Sequence, residues 1–277
     1  MAVSDQAEPQ AADQHIERQL AKLRAYGDHH RPRRRWRRVG LVAVAVVGLA
    51  VMAMVAVLAL VPGVGDAPTR VAAIVGAHGG REATIPSSAR VARAVVAVED
   101  QRFYAHHGID LQSVVRVGWA TLFGSHGQDQ GGSTIAQQLA KQLYTGDRHD
   151  PLGELRQLGL ALKLERRYRK PEILSMYLNA IYYGQGRWGI TQASAGYFHK
   201  SPRQLDWAEA SLLAGLPQAP SAYDPTRNFA GAQRRQRHVL DRLVETGVLT
   251  IGQADAAYGE LARRAPGLGF QTTGSPP

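Results

Sequence analysis

The chain has 277 residues, of which 44% are hydrophobic, so it can form one sizeable domain together with additional segments. It contains no cysteine, which excludes a disulfide framework, a thiol nucleophile and cysteine-based zinc binding. The formal net charge of +10 at pH 7 favours acidic partners such as nucleic acid, anionic lipid head groups or phosphorylated substrates.

The N-terminal 38 residues are polar, and we predict a basic, mostly disordered tail with a short helix around 14–23. The tail ends in HHRPRRRWRR, which alone could indicate a nucleic-acid patch. Residues 39–61 follow without any charged residue and are long enough to cross a bilayer as one helix. They have no polar face, which disfavours a buried core helix. We therefore predict a single-pass anchor and no nucleic-acid binding.

The arginines precede this apolar helix, so the N-terminus should be cytoplasmic and the rest of the chain extracytoplasmic, at the inner or plasma membrane. They are then expected to contact anionic lipid. Residues 62–86 are predicted to be a spacer, with membrane contacts through Val71, Ile74 and Val75. A globular domain is predicted over 87–262 and a disordered tail over 263–277.

The first candidate site is the stretch AVVAVEDQRFYAHHGID at 94–110. Its apolar run ends in the adjacent carboxylates Glu99 and Asp100, which are costly to bury without partners. Desolvation and like-charge repulsion can raise the pKa of one such carboxyl, which suits a general acid or base. The alternative is that both acids simply cap an exposed helix end.

A second helix follows, over 110–122, and then a flexible segment at 124–132 that is either a mobile lid or a plain connector. The next stretch, GGSTIAQQLAKQLY at 131–144, begins a helix capped by Ser133 or Thr134. Gln137 and Lys141 are four residues apart and share a face, with Gln138 beside them. A hydroxyl, exposed N–H groups and an ammonium together favour an anion such as pyrophosphate. The alternative is an ordinary amphipathic helix with a solvated lysine.

These two stretches resemble the first two motifs of the peptidoglycan glycosyltransferases of family 51, Glu-Asp-x-x-Phe-x-x-His-x-Gly and Gly-x-Ser-Thr-x-x-Gln-Gln-x-x-Lys. The matching residues are Glu99, Asp100, Phe103, His106, Gly108, Gly131, Ser133, Thr134, Gln137, Gln138 and Lys141. The segment KPEILSMYLN at 170–179 is similar to a later motif of the same family.

The resemblance implies a mostly α, lysozyme-like domain that polymerises lipid II with inversion and releases undecaprenyl pyrophosphate. It implies that Glu99 is the catalytic base and that Ser133, Gln137, Lys141 and Arg148 contact or lie beside the pyrophosphate. The other motif residues become expected substrate-binding residues, namely Asp100, Phe103, His106, Thr134 and Gln138. A divalent cation such as Mg²⁺ is also expected, without an assigned ligand set.

One departure concerns the third family motif, Arg-Lys-x-x-Glu, whose glutamate is a second functional carboxylate. Gln157 stands at that position here, and glutamine can neither carry a negative charge nor bind a cation strongly. Glu154, about one helical turn earlier, is a candidate replacement, and Glu165 is another.

Two other functions fit parts of the pattern. A lysozyme-like hydrolase or lytic transglycosylase would use Glu99 as an acid, but would not need a pyrophosphate site. A weakly active membrane scaffold of cell-wall synthesis would agree with Gln157. The sequence has no Ser-x-x-Lys motif of a transpeptidase, so we expect a monofunctional enzyme with a separate transpeptidase as its partner.

Overall fold

The computed structural model of the protein describes residues 16–22, 32–110, 112, 133–146 and 151–271, with the backbone alone at 32–38 and 151. The chain divides into two compact units, Met1–Ala56 and Val57–Pro277. Nearly all of the described secondary structure is helical, and its only β-pairing is a single antiparallel bridge between Tyr182 and Trp188. The mostly α class predicted from the sequence is therefore confirmed.

The first unit contains α1 (16–22) and most of α2 (Pro32–Leu60). The stretch Val39–Leu60 is long and apolar enough to cross a membrane, and none of it is buried by protein. Its side chains are those of Val, Ala, Leu, Gly and Met and carry no charge, so a helix with an apolar surface all round results. The protein is membrane-anchored through this helix, as the sequence predicted.

The second unit is a bundle of short helices. In chain order the described ones are α3 (Ala67–Ala77), α4 (Arg90–Glu99), α5 (Ile135–Ala140), α6 (Pro151–Arg167), α7 (Lys170–Ala180), α8 (Ile190–Phe198), α9 (Trp207–Gly215), α10 (Phe229–Glu245) and α11 (Ile251–Arg264). A π-helical turn, Lys141–Thr145, continues α5, and 3₁₀ turns follow α9 and α11. The helix predicted over 110–122 and the segment 124–132 lie almost wholly outside the described residues.

The predicted spacer at 62–86 contains α3, which is part of the domain. Val71 and Val75 are buried against α7, so the predicted membrane contact through these two residues is wrong. They lie four residues apart and so form one helical face. The segment that precedes α3 is also fixed to α6, because Lys163 Nζ donates to the Val61 carbonyl over 2.6 Å. Glycines on both sides of α3 concealed this helix in the sequence.

The predicted disordered tail is ordered at its beginning. Residues Ala265–Leu268 form a 3₁₀ turn that brings Phe270 back onto the domain, where it is 4% exposed. Its ring stacks on Phe229, with centroids 5.8 Å apart, and meets Phe198 edge-on. An aromatic cluster of this size stabilises the fold, so the domain extends beyond residue 262.

The helices of the second unit form two groups, and the predicted site lies where the groups meet. The helices α4, α10 and α11 pack around α9, while α5 packs against α6 and α7. The end of α4 carries Glu99 and Asp100 to the beginning of α5. Because α4 and α5 belong to different groups, their ends meet at a junction between the groups, beside a hydrophobic core that is continuous across both.

Candidate active site

Glu99 is the last residue of α4, and its side chain is only 14% exposed. The apolar face of α4, which includes Val91 and Val95, is fully buried and holds the end of the helix in the junction. Gln138 Nε2 donates to Glu99 Oε2 over 2.9 Å. The guanidinium Nη2 of Arg235 lies 3.7 Å from Glu99 Oε1, and among the described residues this oxygen accepts no hydrogen bond. The carboxyl group therefore has one oxygen fixed by the protein and one unsatisfied.

The pKa of Glu99 is raised above its ordinary value, chiefly because burial disfavours the charged carboxylate. The hydrogen bond from Gln138 and the charge of Arg235 act in the opposite direction, whereas the neighbouring Asp100 adds to the rise. A carboxylate with a raised pKa is a stronger base than a solvated one. The raised pKa therefore suits Glu99 to act as a general base.

Gln138 is itself held by Tyr177 of α7. The Tyr177 hydroxyl donates to Gln138 Oε1 over 2.7 Å, and the tyrosine is completely buried. Because the oxygen of the amide is occupied by Tyr177, its NH₂ group is directed at Glu99. Burial and the nearby carboxylate raise the pKa of Tyr177 well above its ordinary value, so the hydroxyl remains a donor.

Asp100 and His106 connect the two sequence motifs. The Nε2–H group of His106 lies 2.8 and 3.0 Å from the oxygens of Asp100, and the backbone N–H of Ile135 donates to Asp100 over 3.0 Å. Both side chains are buried. Thr134 Oγ1 adds a bond to the Gly108 carbonyl at 2.8 Å. These contacts fix the beginning of α5 relative to Glu99, and the predicted substrate contacts of Asp100, His106 and Thr134 stay predictions.

The beginning of α5 differs from the expectation of exposed N–H groups. The backbone N–H of Thr134 donates to Gln137 Oε1 over 2.6 Å, and that of Gln137 donates to Thr134 Oγ1 over 3.2 Å, in a capping box. The N–H of Ile135 is taken by Asp100. These three amides are therefore already paired within the protein and are not exposed to an anion.

The remaining motif residues are placed in different surroundings. Ser133 is exposed and Lys141 is half-buried at the beginning of the π-helical turn, three residues after Gln138. Phe103 is fully buried, and its ring lies 4.4 Å from the ammonium of Lys170. Of these residues, Ser133 and Lys141 are accessible to a substrate. Arg148 lies outside the described residues.

The candidate second acids have different surroundings. Glu154 is exposed on α6 and Gln157 is half-buried. Glu165 forms an ion pair with Lys170 at 2.7 Å and is 3% exposed, so it stabilises the packing of α6 and α7. In the described part of the chain, no three His, Asp or Glu side chains form a group that could hold a metal ion. These residues therefore do not fit a metal held mainly by protein ligands.

Arg235 was missed by the reasoning from sequence, because it lies in the basic run QRRQRH, which looks like a solvated helix face. The usable signal was its spacing. Arg235 lies four residues before Val239 and three after Ala232, on the buried face of α10. An arginine on an apolar face needs an acidic partner, and Glu99 provides the charge.

The comparisons with known proteins agree with this geometry. Residues 81–244, more than half of the chain, match the family model described as transglycosylase. A protein of Cupriavidus necator that bears the name transglycosylase is 44% identical over 170 residues, which cover 61% of this chain and 73% of that protein.

Penicillin-binding protein 1A of Neisseria gonorrhoeae is 41% identical over 60% of this chain, but the match spans only 21% of that larger protein. The crystal structure of penicillin-binding protein 1A from Haemophilus influenzae is 30% identical, covers 46% of this chain and 15% of its own, and has a TM-score of 0.32. The chain therefore belongs to the transglycosylase family and is a peptidoglycan glycosyltransferase with a mostly α, lysozyme-like domain.

Proposed function

We propose that the protein polymerises lipid II into glycan strands, with Glu99 as the general base. The observation that carries this proposal is the Glu99 carboxylate, which is buried at the junction of the two helix groups and keeps one oxygen without a hydrogen bond among the described residues. A hydroxyl group of a substrate that reaches this carboxylate would supply the missing donor.

The reaction can be written around this group. The 4-hydroxyl of an incoming lipid II sugar attacks the anomeric carbon of the growing glycan, and its proton passes to Glu99 as the new glycosidic bond forms. The bond from the anomeric carbon to the pyrophosphate breaks on the opposite face, which inverts the configuration. Undecaprenyl pyrophosphate leaves with the bonding electrons, and Glu99 later returns its proton to water.

The leaving pyrophosphate requires positive charge and hydrogen-bond donors. The Lys141 ammonium and the Ser133 hydroxyl are on the accessible side of the second motif and would supply both. Mg²⁺, which often binds through substrate phosphates with few protein ligands, would neutralise further charge when bound. The ion would then be held mainly by the substrate, because the described residues contain no group of three His, Asp or Glu side chains that could hold it.

The location follows from the anchor. We propose that the arginine-rich end of α2 is cytoplasmic and that the catalytic domain is extracytoplasmic, at the inner or plasma membrane. Lipid II, which is membrane-bound and anionic, suits a membrane-anchored chain with a net charge of +10. A separate transpeptidase would be the expected partner, because glycan strands must be crosslinked after polymerisation.

The test is incubation of the purified full-length chain with lipid II and Mg²⁺, followed by gel analysis of the products. Glu99→Gln should lower the polymerisation rate by about 10² to 10⁴, the usual contribution of a general base. Glu82→Gln, at an exposed acid outside the site, is the matched control and should polymerise normally. Normal strand growth by Glu99→Gln would refute the assignment.

Two further assays decide between the alternatives. Release of muropeptides from purified sacculi without strand growth would instead indicate a muralytic enzyme. Complementation of a deficient strain by Glu99→Gln would indicate a scaffold. Glu154→Gln, assayed in parallel, shows whether this acid replaces the one lost at Gln157.

A further inference from the structure

Arg235 lies on α10, outside the two motifs that contain Glu99 and Gln138, and its side chain is only 8% exposed. Glu99 therefore lies between α5 on one side, through Gln138, and α10 on the other. The carboxylate is enclosed by residues that are distant from one another in the chain.

The stem of Arg235 is confined by α9. A Cβ atom added at Gly215 would lie 2.9 Å from Arg235 Cγ, so the absence of a side chain at Gly215 makes room for the arginine. The guanidinium is thus held near Glu99 by the packing of two helices. Burying an arginine costs desolvation free energy, which its interactions, including the attraction to Glu99, must offset.

We propose that Arg235 is a positioning residue for glycosyl transfer, whose buried cation keeps the Glu99 carboxylate ionised and oriented until the acceptor hydroxyl arrives. This inference rests on the proposed function of Glu99 as the base. At 3.7 Å, Nη2 attracts Glu99 Oε1 without a short hydrogen bond, so this buried oxygen still lacks a hydrogen-bond donor among the described residues.

The groups that face Glu99 from the neighbouring elements determine how readily its carboxyl group ionises. Asp100 on its own segment opposes ionisation, whereas Gln138 of α5 and Arg235 of α10 favour it. The hydroxyls of Tyr177 and Tyr183 lie near enough for the carboxylate to raise their pKa values, and they stay neutral. After Glu99 has accepted the proton, Arg235 favours its release and so prepares the next transfer.

The experiment is a pH profile of kcat/KM for lipid II polymerisation by the full-length protein. Arg235→Met keeps the apolar stem and removes the charge, and Arg235→Lys keeps the charge. We expect Arg235→Met to move the acid limb, the fall in kcat/KM at low pH, to higher pH. The variant should lose at least about tenfold in kcat/KM on the acid side and much less on the alkaline side, where base ionises Glu99 without help. Arg235→Lys should recover part of the loss, and the exposed Arg234→Met should match the wild type at every pH.

If Arg235 were only structural, Arg235→Met would lower kcat/KM by the same factor at every pH, and that outcome would overturn the inference. A double-mutant cycle of Arg235→Met with Glu99→Gln, followed by thermal unfolding, tests the pair without activity. The Tm decrease caused by Arg235→Met should differ between the wild-type and the Glu99→Gln backgrounds at about pH 8, and the difference should shrink as acid neutralises Glu99. Additive Tm changes at both pH values would also overturn it.

The two proposals fail separately. If Glu99→Gln polymerises normally, the base assignment is wrong. If Glu99→Gln is inactive while kcat/KM of Arg235→Met falls at low pH in the same way as in the wild type, only the proposed role of Arg235 is wrong.

Discussion

Replacing Gln138 by methionine tests whether the amide both supports the base and satisfies a buried tyrosine. Gln138→Met has nearly the same shape but can neither donate to Glu99 Oε2 nor accept from Tyr177, contacts that measure 2.9 and 2.7 Å. A hydrogen bond to a charged group is worth roughly 1.5–3 kcal/mol, and a buried hydroxyl left without a partner costs roughly 1–3 kcal/mol. Neighbouring losses do not add fully, so we expect a total of about 2–4 kcal/mol.

The corresponding fall in Tm is roughly 5–15 °C for a domain of this size, measurable by calorimetry on the full-length chain. The companion variant is Tyr177→Phe, which removes only the hydroxyl group that Gln138 accepts from. Removal of both partners of a buried hydrogen bond can be nearly neutral. The double variant Gln138→Met/Tyr177→Phe should therefore be more stable than Gln138→Met alone.

Activity should respond differently. The hydrogen bond from Gln138 lowers the pKa of Glu99, so its loss allows that raised pKa to rise further. Glu99 can act as a base only when its carboxylate is ionised, so activity is lost as the pH falls through the pKa of Glu99 in the folded protein. The acid limb of the polymerisation rate should thus move to higher pH in Gln138→Met, and Tyr177→Phe should not restore it. A double variant less stable than Gln138→Met, or an unmoved acid limb, would refute the network.

Two further predictions concern the metal and the C-terminal segment. Chelation of Mg²⁺ by EDTA should slow polymerisation while leaving Tm unchanged, because the proposed ion binds substrate pyrophosphate, and a lower Tm would indicate a protein-held metal. Phe270→Ala should cost about 3–5 kcal/mol of unfolding free energy, as expected for a buried aromatic, and chemical denaturation measures it. The exposed Tyr104→Ala is its control, and equal losses would contradict the packing of the tail.

The anchor, the helical class and the two motifs could be predicted from the sequence because each depends on local information. A long apolar run without charges is unfavourable in water, so it indicates a membrane helix. The capping box of Thr134 and Gln137 lies within four residues. The contact of Gln138 with Glu99 joins residues 39 positions apart, yet the resemblance to a known family already placed both in one site.

What could not be predicted depends on how distant elements pack. The spacing of Arg235 from Ala232 and Val239 could indicate a buried position, but its approach to Glu99 depends on how α10 packs against α4 and against Gly215 of α9. The helix α3 and the return of Phe270 were missed for the same reason, since short segments with glycine and proline become ordered only against a partner. The ion pair between Glu165 and Lys170 likewise joins two helices and could not be predicted from the sequence.

The surroundings of Glu99 meet two opposing requirements of a general base. A strong proton acceptor needs a raised pKa, which burial at the end of α4 provides, but it must also be ionised before the acceptor sugar arrives. Gln138 and Arg235 limit the rise, and they come from helices on opposite sides of the carboxylate. Because the best catalytic pKa lies near the working pH, removing either partner should harm the reaction at low pH more than at high pH. In the proposed mechanism, the two helix groups must therefore stay docked for Glu99 to act as the base.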